Sequence, residues 1–513
     1  MKVLKGLALP ALSGILLSLA FPKADISLLA WVAFIPLLYS IDEKRPGRAF
    51  MEGFAAGLVF YLVSVRWVIN TMYNYGGLGL AVSIILLVAL SAYLALYFGV
   101  FTMLYSAARS EFPSISVLLA PALWVSLELL RNYALSGFPW NLVGYSQHAN
   151  LPLIQISDIT GVYGVSALVI LINAAVTDMI FVMAGDRPVA SRRLIAPFAS
   201  LLILGMAVSY GHWRLIKLPM SSGSMKVSLV QGNIEQFHKW DPVFQQEVFD
   251  TYKTLTAAAA ESKPDLIIWP ETATPFYFQD GLERPKLEEA ARSAGTWLMT
   301  GSPSIDSAGD GKVIEYNSAY LISPSGQEAG RYDKTHLVPF GEYVPMKALL
   351  PFVSKMVTGI GDFGCGRSYT VFHTGKGAFG TAICFEVIFP DLVRKFALEG
   401  ADFLASITND AWFGDSAAPY QHFDMSVFRA VENRRTLVRA ANTGITGIVL
   451  PSGRVARETE IFTRGSITDD IPLMNYMSFY TLHGDVFAYA CAFVSSIFSC
   501  IVIIRRSRKK CLN

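Results

Sequence analysis

The sequence predicts an α-helical polytopic membrane domain of about eight spans and, inserted before the last span, an α/β domain outside the membrane. Three observations carry this. Hydrophobic residues make up 53% of the 513 and charged residues only 16%, a balance that calls for several membrane spans. Apolar runs of spanning length fill the first part of the chain. Between Met225 and about Tyr476 no such run occurs; short Val/Ile/Leu-rich segments there alternate with charged helical ones, the pattern of an α/β domain.

At about 20 residues per span, the candidates are roughly 4–22, 26–41, 52–71, 78–107, 114–130, 161–184 and 194–212, with "DVFAYACAFVSSIFSCIVII" (485–504) the eighth. The second is short, and a partly re-entrant path stays open for it. The expected domains are a membrane domain at 1–217, the α/β domain at 225–475 and a C-terminal transmembrane helix at 482–506. A linker, "PMSSGS" (219–224), separates the first two. Lys2 and Lys5 before the first run raise a signal peptide. The next apolar segment follows closely and no clear small-residue cleavage site is present, so an uncleaved span is the better reading.

Lysine and arginine in short loops orient the spans. Lys2 and Lys5, "DEKRPGR" (42–48), Arg109, "DRPVASRR" (186–193) and "RRSRKK" (505–510) all fall on one side if there are eight spans. That side, with both termini, is expected to be cytoplasmic. The uncharged "YNYGG" (73–77) and the α/β domain then lie on the other side. One miscounted helix reverses the assignment.

A net charge of +2 makes no case for nucleic acid. The five cysteines are scattered without a CxxC pair, which suggests neither a zinc site nor a disulfide framework. His336 and His422 lack partners at metal-ligand spacing, so no metal and no cofactor is expected.

Three segments of the α/β domain place chemical groups at the ends of apolar strands: "DLIIWPETATPF" (265–276) with Glu271, "YDKTHLVPFGEYVP" (332–345) with Lys334 and Glu342, and "AFGTAICFEVIFP" (378–390) with Cys384 and Glu386. Strand-end loops are where α/β folds keep catalytic groups. A free thiol is mostly protonated at neutral pH, and a nearby cation favours the thiolate. Lys334 can be that cation and can stabilise an oxyanion. Glu271 can take the thiol proton, and later a proton from an incoming nucleophile. The outcome is covalent catalysis through an acyl-thioester. Each residue alone has a plainer reading: Cys384 as a packed small hydrophobe, Lys334 as a solvated lysine, Glu271 as a helix N-terminal carboxylate.

The motifs "WPE", "DKTHLVPFGEYVP" and "CFEVIFP", in that order, resemble the nitrilase (carbon–nitrogen hydrolase) superfamily. The resemblance implies a nitrilase-like αββα sandwich with a triad of Glu271, Lys334 and Cys384, and a second glutamate at Glu342. The membrane half narrows it. "GFPWNLVGYSQ" (137–147), "PLIQISDITGVYGVS" (152–166), "LVQGNIEQFHKWDP" (229–242) and "SITNDAWFGDSAAPYQH" (406–422) look like the bacterial apolipoprotein N-acyltransferase family. One departure is visible: Phe385 stands where that family often has tyrosine. The ring is kept and the hydroxyl is lost. No motif is recognised between 459 and 476.

What the resemblance implies is a two-step transfer in the bacterial inner membrane, with the catalytic domain in the periplasm. Cys384 attacks the sn-1 acyl ester of a phosphatidylethanolamine-like phospholipid. The acyl chain then passes to the α-amino group of the diacylglyceryl-cysteine that begins a lipoprotein. The enzyme is expected to be a monomer. Physical chemistry fits: moving a C16 chain out of a bilayer costs roughly 12 kcal/mol at about 0.8 per CH₂, so tethering the site to a membrane removes a barrier. An acyl-enzyme also needs cover from water, which Phe340, Tyr343, Trp412 and Phe413 can supply or, equally, these pack as ordinary core. By resemblance Trp240 lines the lipid entry or, equally, packs as an ordinary tryptophan; Asn317 is read as a strand-start turn residue, with an ordering role for the Lys334 loop the reading the resemblance adds. Glu386 is expected to bond Lys334 or backbone near Cys384, and both a structural and a chemical role stay open for it. Glu128 and Arg131, in or beside the fifth span, are expected to pair at i,i+3. Cys365 lies in "GDFGCGRS" (361–368), a candidate lid; Cys491 and Cys500 are read as packing thiols. The alternative function is a membrane-tethered amidase that uses the same triad with water as second nucleophile.

Overall fold

Where water is excluded, an apolar run forms helix because only a helix satisfies its backbone within one segment. The first half of the chain follows this rule. The computed structural model describes residues 2–185, 191–308, 312–344 and 363–512, without the side chains of 2–6, 191–194 and 506–512. The chain divides into two units. One holds Met1–Ile69, Leu80–Lys217 and Asp485–Asn513; the other holds Asn70–Gly79 and Leu218–Gly484.

The first unit is helical: α1 (Lys2–Leu19), α2 (Pro46–Ser64), α3 (Leu80–Glu111), α4 (Ser116–Tyr133), α5 (Val162–Met183), α6 (Ser191–Ile216) and a C-terminal helix, Val486–Leu512. Among the described residues four helices are long and apolar enough to cross a membrane: Leu80–Glu111, Val162–Met183, Ile195–Ile216 and Val486–Arg505. There are five if the bent pair Pro46–Ser64 and Val68–Tyr75 makes one span. The expected span at 26–41 is broken into Ser27–Leu29, Ala30–Ala33 and Ile35–Ser40. Side chains satisfy the freed backbone. Asn173 accepts from the Phe34 N–H and donates to the Ala30 carbonyl, both at 2.9 Å. Ser13 Oγ accepts from the Leu37 N–H at 2.8 Å. A buried helix break is tolerated on those terms.

Small residues let α2 and α3 approach closely. A Cβ on Gly53 would sit 2.1 Å from Thr102 Oγ1, and one on Gly57 2.9 Å from Phe98. The expected Glu128–Arg131 pair is not formed. Glu128 Oε1 instead accepts from the Trp124 indole and the Val143 N–H, each at 2.8 Å, while the Arg131 guanidinium lies over the Tyr61 ring at 5.6 Å. Two fixed N–H donors serve a buried carboxylate without ordering a second long side chain.

The second unit holds twelve strands among the described residues: β1 (Gly223–Gln231), β2 (Leu266–Ile268), β3 (Trp297–Ala308), β4 (Lys312–Ile322), β5 (Glu328–Asp333), β6 (Val371–His373), β7 (Ala378–Ile383), β8 (Phe403–Thr408), β9 (Thr436–Ala441), β10 (Gly447–Val449), β11 (Val455–Glu458) and β12 (Gly465–Leu473). They form two sheets, ordered β12-β1-β2-β3-β4-β5 and β11-β10-β9-β8-β7-β6. Each has a parallel trio, β1-β2-β3 or β7-β8-β9, with antiparallel strands outside it. Within the trios β2, β7, β8 and β9 are buried along their whole length, as parallel strands covered on both faces must be. The strand β12 lies in the stretch without a recognised motif and closes the first sheet against β1. It also shortens the expected linker, because Gly223 and Ser224 already pair with Leu473 and Pro472.

Helices α7 (Gln245–Ala260) and α8 (Arg284–Ala294) cover the first sheet through a core that includes Phe249, Tyr252, Trp269, Leu287 and Tyr320. Helices α9 (Pro390–Leu398) and α10 (Ala418–Asn433) serve the second. Gly380 has no room for a Cβ beneath Phe396 of α9, at 2.3 Å. On the other face Thr381 Oγ1 meets Met299 Sδ of the first sheet at 3.4 Å. The layers are thus helix, sheet, sheet, helix.

Candidate active site

Three loops at strand ends converge in the second unit. The first follows β2. Trp269 adds one more ladder bond, to the Met299 carbonyl at 2.8 Å, and Pro270, with no N–H, ends it. Glu271 then turns inward and is 6% exposed. No helix starts here, so the helix-cap reading of Glu271 falls; Thr272 instead adopts φ +45°. Strand β3 passes directly behind at Gly301, where a Cβ would lie 2.5 Å from Thr272 N and 2.6 Å from Glu271 Cα.

The second loop follows β5. Lys334 is 1% exposed. Its Nζ donates to Glu342 Oε1 at 2.8 Å and stands 3.6 Å from Glu271 Oε1. Asn317, on β4, bridges the two acids: its Nδ2 donates to Glu271 Oε1 at 2.8 Å and Glu342 Oε1 at 3.0 Å. Its carbonyl also accepts from the Lys334 N–H at 2.9 Å. The far oxygen of Glu342 accepts from the Val338 N–H at 2.8 Å. Burial works against the charge on Lys334, but Glu342, Glu271 and Cys384 together hold its pKa above the usual lysine value.

The third loop is a 3-10 turn, Cys384–Ile388, straight after β7. Cys384 sits at φ +53°, which an L-residue adopts only under constraint. Glu386, fully buried, supplies that constraint. Its Oε2 accepts from the Ile383 N–H at 2.7 Å, and its Oε1 from Tyr332, Thr335 N–H, Thr335 Oγ1 and His336 N–H at 2.7–3.1 Å. One carboxylate therefore ties the cysteine turn to the lysine loop. The Cys384 carbonyl is held by His422 Nε2 at 3.1 Å, and His422 is set by Asp410 and Arg439. Burial pushes the Cys384 thiol well above its ordinary value; Glu271 adds to the rise and Lys334 opposes it.

The remaining expected residues are placed unevenly. Phe385 is buried, its ring 5.2 Å from Phe389 and 6.0 Å from the His336 ring. Phe413 stands edge-on to His422 at 6.1 Å. Trp240 is 50% exposed, with Phe340 and Trp412 also exposed. Phe340 has φ +62° and donates its N–H to the Tyr343 carbonyl at 2.7 Å. Trp412 meets Tyr75 at 5.6 Å, and its carbonyl accepts from Asn70 and Thr71. In the 361–368 segment, 361 and 362 lie outside the described residues. Cys365 donates to the Thr335 carbonyl at 2.8 Å, and the Gly366 N–H to the Lys334 carbonyl at 2.8 Å.

The match to known proteins covers both units. The apolipoprotein N-acyltransferase N-terminal domain family matches residues 13–175, and the carbon–nitrogen hydrolase family matches 226–479. An apolipoprotein N-acyltransferase of Geobacter metallireducens is 46% identical over 97% of this chain and 95% of its own. The chain belongs to the apolipoprotein N-acyltransferase family. A relative of that name from Haemophilus influenzae is 33% identical over 96% of this chain and 94% of its own. Among solved structures, an amidase from Nesterenkonia sp. matches 50% of this chain and 94% of its own, at 23% identity and a TM-score of 0.38.

Several residues around the site of this family member carry no signal a sequence reading could isolate. Asn409 donates its N–H to Glu271 Oε2 at 2.7 Å, and its side chain is held by Gln236 and Asn442. Lys239 is fully buried and donates to the Glu271 carbonyl at 3.0 Å. Asn409 and Lys239 lie within quoted motifs, but an amide, or a lysine beside a tryptophan, reads as surface until its burial is known.

Proposed function

We propose that the chain transfers the sn-1 acyl chain of a phospholipid, through a thioester on Cys384, to the α-amino group of the N-terminal diacylglyceryl-cysteine of a lipoprotein. The observation that carries this reading is the convergence of Glu271, Lys334 and the strained Cys384 turn on one buried cluster. Family membership, with its 46% identical relative of that name, supports the transfer.

In the first half-reaction Glu271 takes the Sγ proton as sulfur attacks the ester carbonyl. With the Cys384 thiol held above its ordinary value, a base that takes the proton as the bond forms is favoured over attack by free thiolate. The Lys334 ammonium, fixed by Glu342, stabilises the oxyanion. The C–O bond breaks, and the lysophospholipid oxygen leaves with the proton from Glu271. In the second, the neutral amine adds to the thioester carbonyl and Glu271 takes its proton. The C–S bond breaks, the amide forms, and the thiol regains the proton. Two transfers through one carboxylate need no cofactor.

The chain is a polytopic inner-membrane protein. In our reading it has eight spans, both termini in the cytoplasm and the catalytic unit in the periplasm, and acts as a monomer. The donor is phosphatidylethanolamine-like. The helix Lys2–Leu19, the broken segment at 26–41, the bent pair Pro46–Ser64 and Val68–Tyr75, and the 18-residue α4 complete the count as spans that are shorter, less apolar or less continuous than the four long ones.

The test is intact mass of the detergent-solubilised protein after exposure to phospholipid alone. The expected result is one acyl adduct, mapped to Cys384, that a diacylated lipopeptide amine discharges faster than water. No adduct on the wild type, or an adduct retained in Cys384→Ala, overturns the reading. Hydrolysis of a small amide without triacylated product favours the amidase instead.

A further inference from the structure

The short helix Gln236–Trp240 is inside out. On an ordinary surface helix the aromatic residues turn inward and the polar ones face water. Here Gln236 and Lys239, one turn apart, are 5% and 1% exposed, whereas Phe237 and Trp240 are 61% and 50% exposed. Burying a lysine amine is costly, so its placement calls for a compensating role. Among the described residues its hydrogen bond is to the carbonyl of Glu271, at 3.0 Å, and no carboxylate lies within ion-pair reach of it. Gln236 on the same face accepts from Asn409 Nδ2 at 2.7 Å, and Asn409 donates its N–H to Glu271 Oε2. The helix thus grips Glu271 twice: through the main chain by Lys239, through the carboxylate by way of Asn409.

That grip falls where the backbone needs it. Thr272, immediately after the gripped carbonyl, is in the left-handed region at φ +45°, a conformation that persists only when surroundings hold it. Gly301 presses from behind. Burial also pushes the Lys239 amine down to about 7, against the opposing effect of Glu271 and Cys384. We infer that Lys239 is a positioning residue for the proposed general base: it holds the Glu271 main chain so that the carboxylate stays aimed between Asn317, Lys334 and Asn409. The inference rests on the thioester reading above.

Single-turnover acylation by phospholipid, followed by intact mass, separates positioning from damage. A misfolded fraction lowers the amplitude of the adduct, whereas a misaimed base lowers the rate constant. In Lys239→Met the rate constant at saturating phospholipid is expected to fall about 100-fold, the scale of an ångström-level misplacement. The amplitude and the half-saturating phospholipid concentration should be unchanged. Lys239→Gln, which keeps an N–H donor, should recover part of the rate. An unchanged rate constant in Lys239→Met overturns the inference, as does a loss confined to amplitude or to half-saturation in both variants. Failure of the wild type to form any adduct instead sinks the thioester reading itself.

Discussion

Glu342 and Glu386 illustrate how much depends on single carboxylates in the catalytic unit. Glu342 is the nearest counter-charge of Lys334, at 2.8 Å against 3.6 Å for Glu271. Glu342→Gln leaves the buried ammonium with the more distant acid alone. Removing one partner of a buried pair costs about 3–5 kcal/mol, so both the melting temperature and the acylation rate of the detergent-solubilised protein should fall. Glu386 accepts five hydrogen bonds without touching Lys334 side-chain nitrogen. Its role in our reading is structural. Glu386→Ala strands buried N–H donors at about 1–3 kcal/mol each and should lower the yield of folded protein before it lowers the rate per active site. The reverse order, full yield with a lost rate, counts against that assignment. At this scale the sequence disclosed residue types but not partners. Cys384 at a strand end was visible; the constraint on its backbone was not, since four of the five bonds of Glu386 come from Tyr332, Thr335 and His336, some 50 positions away.

Strand ends, turns and close approaches act at the scale of elements. The parallel strands were legible because continuous apolar segments bounded by Gly and Pro leave few other options. Strand β12 was not, because "GSITDDIPL" is half exposed and gains its place only by pairing with β1. Gly301 shows a similar limit. Nothing in "MTGSP" announces that β3 runs against the back of Glu271, yet a Cβ there has only 2.5 Å to Thr272 N. Gly301→Ala should therefore displace the Glu271 loop and abolish acylation while the sheets still fold, as circular dichroism can check. The Asp410–His422–Arg439 cluster braces the Cys384 carbonyl and couples the fold to pH. Burial raises the Asp410 pKa, but Arg439 and then His422 outweigh it and hold the group below the ordinary value. Its stabilisation is therefore complete above about pH 4 and lost as pH falls further. His422 is pushed down by burial and Arg439. Its neutral form is favoured in the fold, so stability already declines as pH drops through about 6.5. The melting temperature should fall in acid over both ranges, and Asp410→Asn should lower it at neutral pH while flattening the lower range.

For the whole molecule, orientation rests on counting spans. The eight-span reading places the catalytic unit outside the cytoplasm. A cysteine introduced at Leu282, 84% exposed, should react with a membrane-impermeant maleimide in intact cells whose outer membrane has been permeabilised. Labelling only after lysis reverses the topology. The membrane class was legible from bulk composition alone, since few soluble chains carry 53% hydrophobic residues. Which runs stay continuous helices was not. The break at 26–41 depends on Asn173 and Ser13, more than a hundred residues and about twenty residues away respectively. The assignment of Asn70–Gly79 to the catalytic unit was also out of reach. By composition that segment reads as a loop between spans, yet Asn70, Thr71 and Tyr75 meet Trp412.

By itself the sequence determined what local patterning and residue chemistry can specify: a chain that spans a membrane, an α/β insert, and a glutamate, lysine and cysteine at three strand ends. Tertiary structure alone decided how those groups are charged, aimed and strained. Hydropathy and periodicity are properties of a run of neighbours. The state of Cys384 depends instead on burial and on Glu271, Lys334, Asp410 and His422, which only folding brings to it. Lys239 marks the difference most sharply: a basic residue beside a tryptophan in the sequence, and in the fold a buried amine bound to the backbone of the proposed base.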